Sequence, residues 1–143
     1  MYDLLLKKGK VIDPCQEIDG VMDVAIKDGK IASLKKDIRE SEAREVLNIE
    51  GKLVTPGLID LHTHVYWGGT SIGVNADKLG LQSGVTTFVD AGSSGAANFL
   101  GFKEHVIKHS VCQIFAFLNI SFPGIFGFSK NLMYGELKHI ELL

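Results

Sequence analysis

The stretch that decides the fold is residues 51–64, Gly-Lys-Leu-Val-Thr-Pro-Gly-Leu-Ile-Asp-Leu-His-Thr-His. Within it, residues 58–62 form a short apolar run that follows a Pro-Gly pair, and this pattern predicts a β-strand. Side chains alternate across a strand. A strand that continues to His64 therefore places Asp60, His62 and His64 on one face.

The two histidines form a candidate metal site. At alternate strand positions their α-carbons are about 7 Å apart, and imidazoles at that spacing can converge on one divalent ion. Neutral imidazole nitrogens suit zinc or a similar transition ion that polarises water and carbonyl groups. A His-x-His pattern also occurs in ordinary core strands. At the carboxyl end of a parallel strand, however, polar residues usually serve a site.

Downstream of the histidines, the pattern alternates between strands and helices. Residues 85–89 and 115–120 are β-branched and aromatic runs that predict two further strands. Apolar residues at helical spacing form two sets: Phe99, Phe102 and Val106, and Met133, Leu137 and Ile140. Strands separated by helices predict parallel βαβ units and an open α/β sheet.

Upstream, the chain is more polar, since residues 1–50 carry 20 of its 32 Asp, Glu, Lys and Arg residues. Apolar and polar residues alternate over residues 22–27 and are followed by Asp28-Gly29, which predicts a two-residue hairpin. Residues 46–54, with a Glu-Gly pair in the middle, predict a second hairpin. The pattern therefore predicts that this first region is a thin, solvent-exposed sheet.

Composition excludes several classes of protein. A net charge of −2 gives no electrostatic basis for binding nucleic acid or an anionic membrane. Cys15 and Cys112 are the two cysteines, too few for a disulfide framework, and the sequence has no apolar run of membrane-spanning length. We therefore expect a cytoplasmic chain. Its 143 residues are fewer than the roughly 250 of a complete (β/α)8 barrel.

Four stretches resemble the amidohydrolase superfamily, in particular its dihydroorotase-like amidohydrolase and deacetylase metallohydrolases. Residues 51–64 are similar to the segment that enters the barrel in these enzymes, and residues 84–90, Gly-Val-Thr-Thr-Phe-Val-Asp, to the second barrel strand. Residues 9–13 and 28–31 are similar to its N-terminal β-sandwich. The resemblance implies an N-terminal part of the sandwich subdomain in residues 1–54. It also implies the first three βα units of a truncated TIM barrel in residues 55–143.

The resemblance also implies a function. In the family, a metal-bound hydroxide hydrolyses a C–N amide or related acyl bond of a small molecule, and this bond is not a peptide bond. These enzymes bind one or two divalent ions, usually Zn²⁺. His62 and His64 correspond to the metal ligands of the first strand. The remaining ligands and the catalytic aspartate come from later strands, beyond residue 143, so no catalytic residue lies within the chain.

We therefore expect an N-terminal fragment that is inactive alone, and the sequence leaves open whether the chain is itself an enzyme. Two alternatives remain open. In the first alternative the chain is a non-catalytic remnant that binds a metal or a partner. In the second it is a fragment of a superfamily deaminase. A homo-oligomer is compatible with either.

Four further residues are candidates for supporting the site or contacting substrate. Asp60 either orients a ligand histidine or bonds to neighbouring backbone, and Asp90 either orients the site or caps the next segment. Tyr66 stands where dihydroorotases have an arginine that grips the substrate carboxylate, which argues against dihydroorotate; it either contacts a less acidic ligand or packs a loop. Asn119 either approaches substrate or bonds to the turn before Pro123.

Three other residues have simpler interpretations. Ser94, in the Gly-Ser-Ser-Gly loop of residues 92–95, is predicted to cap the helix that follows rather than to bind an anion. His105 and His109 are four residues apart and could chelate an ion, but the neighbouring lysine favours a solvated helix face.

Overall fold

The computed structural model describes residues 1–125, and its secondary structure is a mixture of strands and helices in which strands predominate. The chain folds as two units, Met1–Pro56 and Gly57–Leu143. The α/β class that the sequence predicts is confirmed.

The first unit is a five-stranded sheet. Its strands are β1 (Tyr2–Asp13), β2 (Ile18–Lys27), β3 (Lys30–Lys35), β4 (Ala43–Asn48) and β5 (Leu53–Val54). The order across the sheet is β3-β2-β1-β4, and β5 also pairs with β1. Asp28 and Gly29 join the antiparallel strands β2 and β3 with φ angles of 51° and 71°. Two positive φ angles are what a type I′ turn requires, so the first predicted hairpin is confirmed.

The second hairpin, predicted across residues 46–54, is wrong. In the part of the chain that the structure describes, β4 and β5 do not pair with each other; both run parallel to β1, and β5 does so at Lys10 and Val11. Lys10 N donates to Lys52 O at 2.9 Å, which keeps the connecting segment beside β1. A two-residue hairpin turn of type I′ needs two positive φ angles, whereas this segment has one, at Gly51. The backbone therefore continues in the same direction instead of reversing.

An ion pair in the first unit joins the half-buried Lys7 to the buried Asp23. Asp23, which is 1% exposed, accepts hydrogen bonds from Lys7 Nζ at 2.7 Å and from the backbone N–H groups of Lys8 and Ile38, both at 2.9 Å. Burial by itself raises the pKa of Asp23, but these donors outweigh it and lower that pKa below the usual carboxyl value. Hydrogen bonds to Asp23 and Asp37 raise the pKa of Lys7.

The second unit contains a three-stranded parallel sheet with the order β6-β7-β8. Its elements are β6 (Leu58–Thr63), α1 (Ala76–Ser83), β7 (Val85–Asp90), α2 (Phe99–His105) and β8 (Gln113–Ala116). Helix α1 begins after Asn75, whose side chain accepts from Lys78 N, and it ends before Gly84, whose φ of 74° only glycine adopts readily. The predicted alternation of parallel strands with helices is confirmed.

Two predicted strand boundaries need correction. Strand β6 ends at Thr63, one residue before His64. The strand predicted at residues 115–120 ends at Ala116, because the chain leaves the sheet there to pair with the loop after β7. Asn119 then forms an isolated bridge with Gly95. The helical spacing of Met133, Leu137 and Ile140 lies outside the described residues.

The core of the second unit packs helices against the sheet. Its buried residues come from the segment after β6 and from α1, β7, α2 and β8: Val65, Ala76, Phe88, Phe102 and Ile114. The outer strands also carry exposed apolar side chains, among them Leu61 and Phe115. None of the described helices is long and apolar enough to cross a membrane.

Candidate metal centre

The two histidines of the motif lie side by side at the carboxyl end of β6. The His62 and His64 ring centroids are 5.9 Å apart, and the rings meet nearly edge to face, at 81°. His62 is exposed and His64 is half-buried. Two adjacent imidazoles are suitable donors for two of the positions around a zinc ion. The structure therefore places the two candidate ligands next to each other.

His64 is tied to a buried network at the end of the neighbouring strand. Its Nδ1 lies 2.9 Å from Ser93 Oγ, and Ser93 Oγ lies 2.7 Å from Asp90 Oδ2. Asp90 also accepts from the backbone N–H groups of Val65 at 2.8 Å and Ser93 at 2.6 Å. Asp90 and Ser93 are both 0% exposed. Asp90 thus supports both the chain after His64 and, through Ser93, the His64 ring.

The local sequence explains how Ser93 reaches this position. Asp90 ends β7, and Gly92 has a φ of 88°, so the backbone turns back and brings the Ser93 N–H onto the Asp90 carboxylate. Ala91 N donates to Thr63 O at 2.8 Å and so fixes this turn beside the end of β6. Sequence reasoning did not single out Ser93. The signal it missed is an aspartate followed three residues later by serine, with glycine between, directly after a strand.

Serine, histidine and aspartate meet here, but not in the order of a nucleophilic triad. In such a triad the histidine stands between the other two and takes the proton of an accessible serine hydroxyl. In this network Ser93 is in the middle and fully buried, with its oxygen bonded on both sides. The arrangement suits the support of His64 and does not present a nucleophile.

Asp60 and Tyr66 both make contacts with other described residues. Asp60 Oδ1 accepts a hydrogen bond from the backbone N–H of His62 at 3.0 Å. Within residues 1–125, this side chain therefore bonds to neighbouring backbone. The Tyr66 ring stacks on Phe102 with centroids 4.6 Å apart, and its hydroxyl donates to Asn98 O at 3.4 Å. Tyr66 therefore packs against the core of the second unit.

Asn119 joins the segment after β8 to the loop after β7. Its side-chain amide donates to Gly92 O at 2.8 Å and accepts from Ser121 N at 2.8 Å, while its backbone N–H donates to Ser94 O at 2.9 Å. The same loop that carries Ser93 is thereby held on its other side. Asn119 makes the turn contacts that were one of its two alternatives.

Of the simpler interpretations, one is wrong. The N-cap position of α2 is Asn98, not Ser94, because the loop folds against residues 119–125 before the helix begins. The Ser94 hydroxyl is buried and has no hydrogen-bond partner within residues 1–125. His105 and His109 border a shallow pocket with Asp77, yet no three His, Cys, Asp or Glu side chains among the described residues form a group that could hold a metal.

The chain is similar in sequence to two bacterial deacetylases. It is 38% identical over 125 residues to a deacetylase of Brucella anthropi and 38% identical over 115 residues to one of Agrobacterium fabrum. The aligned parts cover 87% and 80% of this chain but 31% and 28% of those proteins. The chain thus spans about a third of the length of the curated relatives it matches. No family model matches the chain.

Three solved structures are similar to the chain. A dihydroorotase matches with a TM-score of 0.76 and 35% identity, covering 88% of this chain and 33% of its own. An adenine deaminase matches with a TM-score of 0.69 and 33% identity, covering 89% and 33%. A D-aminoacylase described as having a binuclear metal centre matches with a TM-score of 0.50 and 31% identity, covering 63% and 18%.

Proposed function

Because this chain is homologous to the N-terminal part of amidohydrolase superfamily members, we propose that it supplies the first two metal ligands of a hydrolase. That hydrolase cleaves a C–N amide or related acyl bond in a small molecule. His62 and His64 are the ligands, and zinc, one of the transition ions that imidazole nitrogens bind, is the ion we propose. The observation that carries the proposal is the adjacency of the two imidazoles at the carboxyl end of β6.

The residues present fit part of a metal site. A catalytic zinc usually has three protein ligands, and two imidazoles provide two of them. Within residues 1–125 no further side chain completes the group. We therefore place the other ligands, and the acid–base group, in polypeptide that corresponds to the remaining two thirds of the relatives. By this proposal the 143-residue chain does not hydrolyse substrate unaided.

A divalent ion bound at this place supplies Lewis acidity, which polarises a carbonyl group and lowers the pKa of water. The described residues hold the imidazoles in place. Asp90 and Ser93 restrain the His64 ring, and the bond from Ala91 N to Thr63 O joins the ends of β6 and β7. A site on rigid strand ends keeps its ligands in productive geometry.

For substrate class, we propose an N-acylated small molecule. The two relatives at 38% identity are deacetylases. Tyr66, at the position where dihydroorotases have arginine, is stacked on Phe102, so no guanidinium stands there for a carboxylate. The similarity to an adenine deaminase structure supports a second candidate, the deamination of a purine.

The test is a chimera in which this chain replaces the matching N-terminal part of the Brucella anthropi deacetylase. We expect zinc-dependent release of acetate from N-acetyl amino acids, abolished by a chelator and by either His62→Ala or His64→Ala. His105→Ala, which removes an exposed histidine of the same unit, is the matched control and should leave the rate unchanged. Release of ammonia from adenine would favour the deaminase candidate. A folded chimera whose activity survives both histidine substitutions would contradict the proposal.

A further inference from the structure

We propose that Ser93 is a positioning residue that fixes His64 in the tautomer with its proton on Nδ1. The Nε2 atom then keeps its lone pair and is the nitrogen available to a metal. The role toward a metal rests on the proposed function. The tautomer itself follows from the hydrogen bonds of the described residues alone.

The Asp90 carboxyl group accepts hydrogen bonds at both of its oxygens. Oδ1 accepts from the Ser93 backbone N–H at 2.6 Å, and Oδ2 accepts from the Val65 N–H at 2.8 Å. Both oxygens are therefore already acceptors for backbone donors that cannot reverse their role. A carboxylate is acceptor-only, so the hydrogen between Asp90 Oδ2 and Ser93 Oγ, 2.7 Å apart, comes from the serine hydroxyl.

A serine hydroxyl has one hydrogen, and that hydrogen is directed to Asp90. In its contact with His64 Nδ1, at 2.9 Å, Ser93 Oγ can only accept. His64 Nδ1 is therefore the donor and carries the ring proton. A neutral imidazole has one N–H, which leaves Nε2 unprotonated.

Burial makes this assignment firm in the folded chain. Asp90 and Ser93 are both 0% exposed, so water does not compete for their hydrogen bonds. The opposite tautomer would place the Nδ1 lone pair against the Ser93 oxygen, whose hydrogen already points to Asp90. Metal-binding histidines commonly donate their second ring N–H to a carboxylate or a carbonyl, which fixes the tautomer. Here a serine hydroxyl stands between the histidine and the carboxylate.

The chain offers a matched control beside Ser93. Ser94 is also a serine at 0% exposure, but its hydroxyl has no partner within residues 1–125. Ser93→Ala and Ser94→Ala each delete one buried hydroxyl oxygen. They differ in whether that oxygen bonds to His64. Any effect of lost packing should appear in both variants, whereas an effect on the tautomer should appear in Ser93→Ala alone.

The experiment records long-range 1H–15N correlations of the histidine rings in the metal-free, 15N-labelled 143-residue chain. The spectra are recorded at about pH 8.5, and the two ring 15N shifts of each histidine distinguish the Nδ1–H form, the Nε2–H form and the charged ring. His64→Gln assigns the His64 signals. We expect wild type and Ser94→Ala to show His64 protonated on Nδ1. In Ser93→Ala the ring should shift to predominantly Nε2–H, the form that free histidine favours.

Wild-type His64 protonated on Nε2 would overturn the proposal, as would Ser93→Ala spectra with an unchanged tautomer. If Ser93→Ala does not fold, Ser93→Thr, which keeps the hydroxyl, should retain the Nδ1–H form, and the wild-type spectrum decides independently. The measurement uses neither metal nor substrate. Failure of the chimera to hydrolyse amides therefore leaves this result intact, and a wrong tautomer leaves the hydrolase proposal standing.

Discussion

Replacement of Asp90 by asparagine perturbs the buried network beneath His64 with almost no change of shape. Asp90 is 0% exposed and accepts three hydrogen bonds, from Val65 N at 2.8 Å, Ser93 N at 2.6 Å and Ser93 Oγ at 2.7 Å. Asparagine has one oxygen and one NH2 group where aspartate has two oxygens. One of the two positions must therefore change from acceptor to donor.

The loss of stability in Asp90→Asn follows from these contacts. In the better orientation the amide oxygen replaces Oδ2 and still accepts from Val65 N and Ser93 Oγ. The NH2 group then faces the Ser93 N–H, so a buried donor loses its acceptor, which costs about 1–3 kcal/mol. Loss of the charge also weakens the two remaining hydrogen bonds. We expect Asp90→Asn to lower the free energy of unfolding by about 2–4 kcal/mol.

Urea denaturation followed by the fluorescence of Trp67 measures this change. Trp67 is the single tryptophan and belongs to the second unit, so it reports on the unit that contains Asp90. Asp60→Asn is the control, because Asp60 is only half-buried and accepts one hydrogen bond, from His62 N. It should cost less than about 1 kcal/mol. If the two variants agreed within about 0.5 kcal/mol, the reasoning about the Asp90 network would be refuted.

Three other predictions concern stability. The pKa of Asp23 is lowered in the fold, so the stability that this carboxylate contributes is present above the ordinary carboxyl pKa of about 3.9. That stability is lost as the pH falls through the lower pKa of the folded state. In acid titrations followed by circular dichroism, Asp23→Asn should therefore not show this loss. Phe102→Ala should cost about 3–5 kcal/mol by the same fluorescence assay. Leu100→Ala, 71% exposed on the same helix, should cost less than about 0.5 kcal/mol. Gly29→Ala should lower stability by about 1 kcal/mol in thermal denaturation, because Gly29 has a positive φ. Gly20→Ala should not destabilise the sheet, because the φ of Gly20 is not positive and no atom lies within 4 Å of an added Cβ. Equal effects within either pair would contradict the reasoning for that pair.

Local patterns predicted much of the second unit. The apolar run before His62 and the β-branched run of residues 85–89 are strands β6 and β7, and the helical spacing of Phe99 and Phe102 corresponds to α2. The resemblance to the amidohydrolase superfamily is confirmed by the relatives and solved structures. Zinc, a truncated TIM barrel, a cytoplasmic location and a homo-oligomer stay predictions.

Other features could not be read from neighbouring residues. The parallel pairing of β4 and β5 with β1 depends on which strand offers a free edge, and alternation along a strand does not specify its partner. From the sequence alone, a ligand contact and a packing role fit Tyr66 equally well. Its role depends on Phe102, a residue 36 positions away that lies beneath its ring.

The sequence by itself determined the chemistry available to this protein. Two histidines at alternate positions, at the end of an apolar strand, are specified by residue type and spacing, and these follow from covalent order and backbone geometry alone. The tertiary structure decided which nitrogen of His64 carries the proton. That choice depends on Ser93, 29 residues away, and on Asp90, which is buried beside it. Hydrogen bonds act over about 3 Å, so only folding, which brings the ends of two parallel strands together, can establish them.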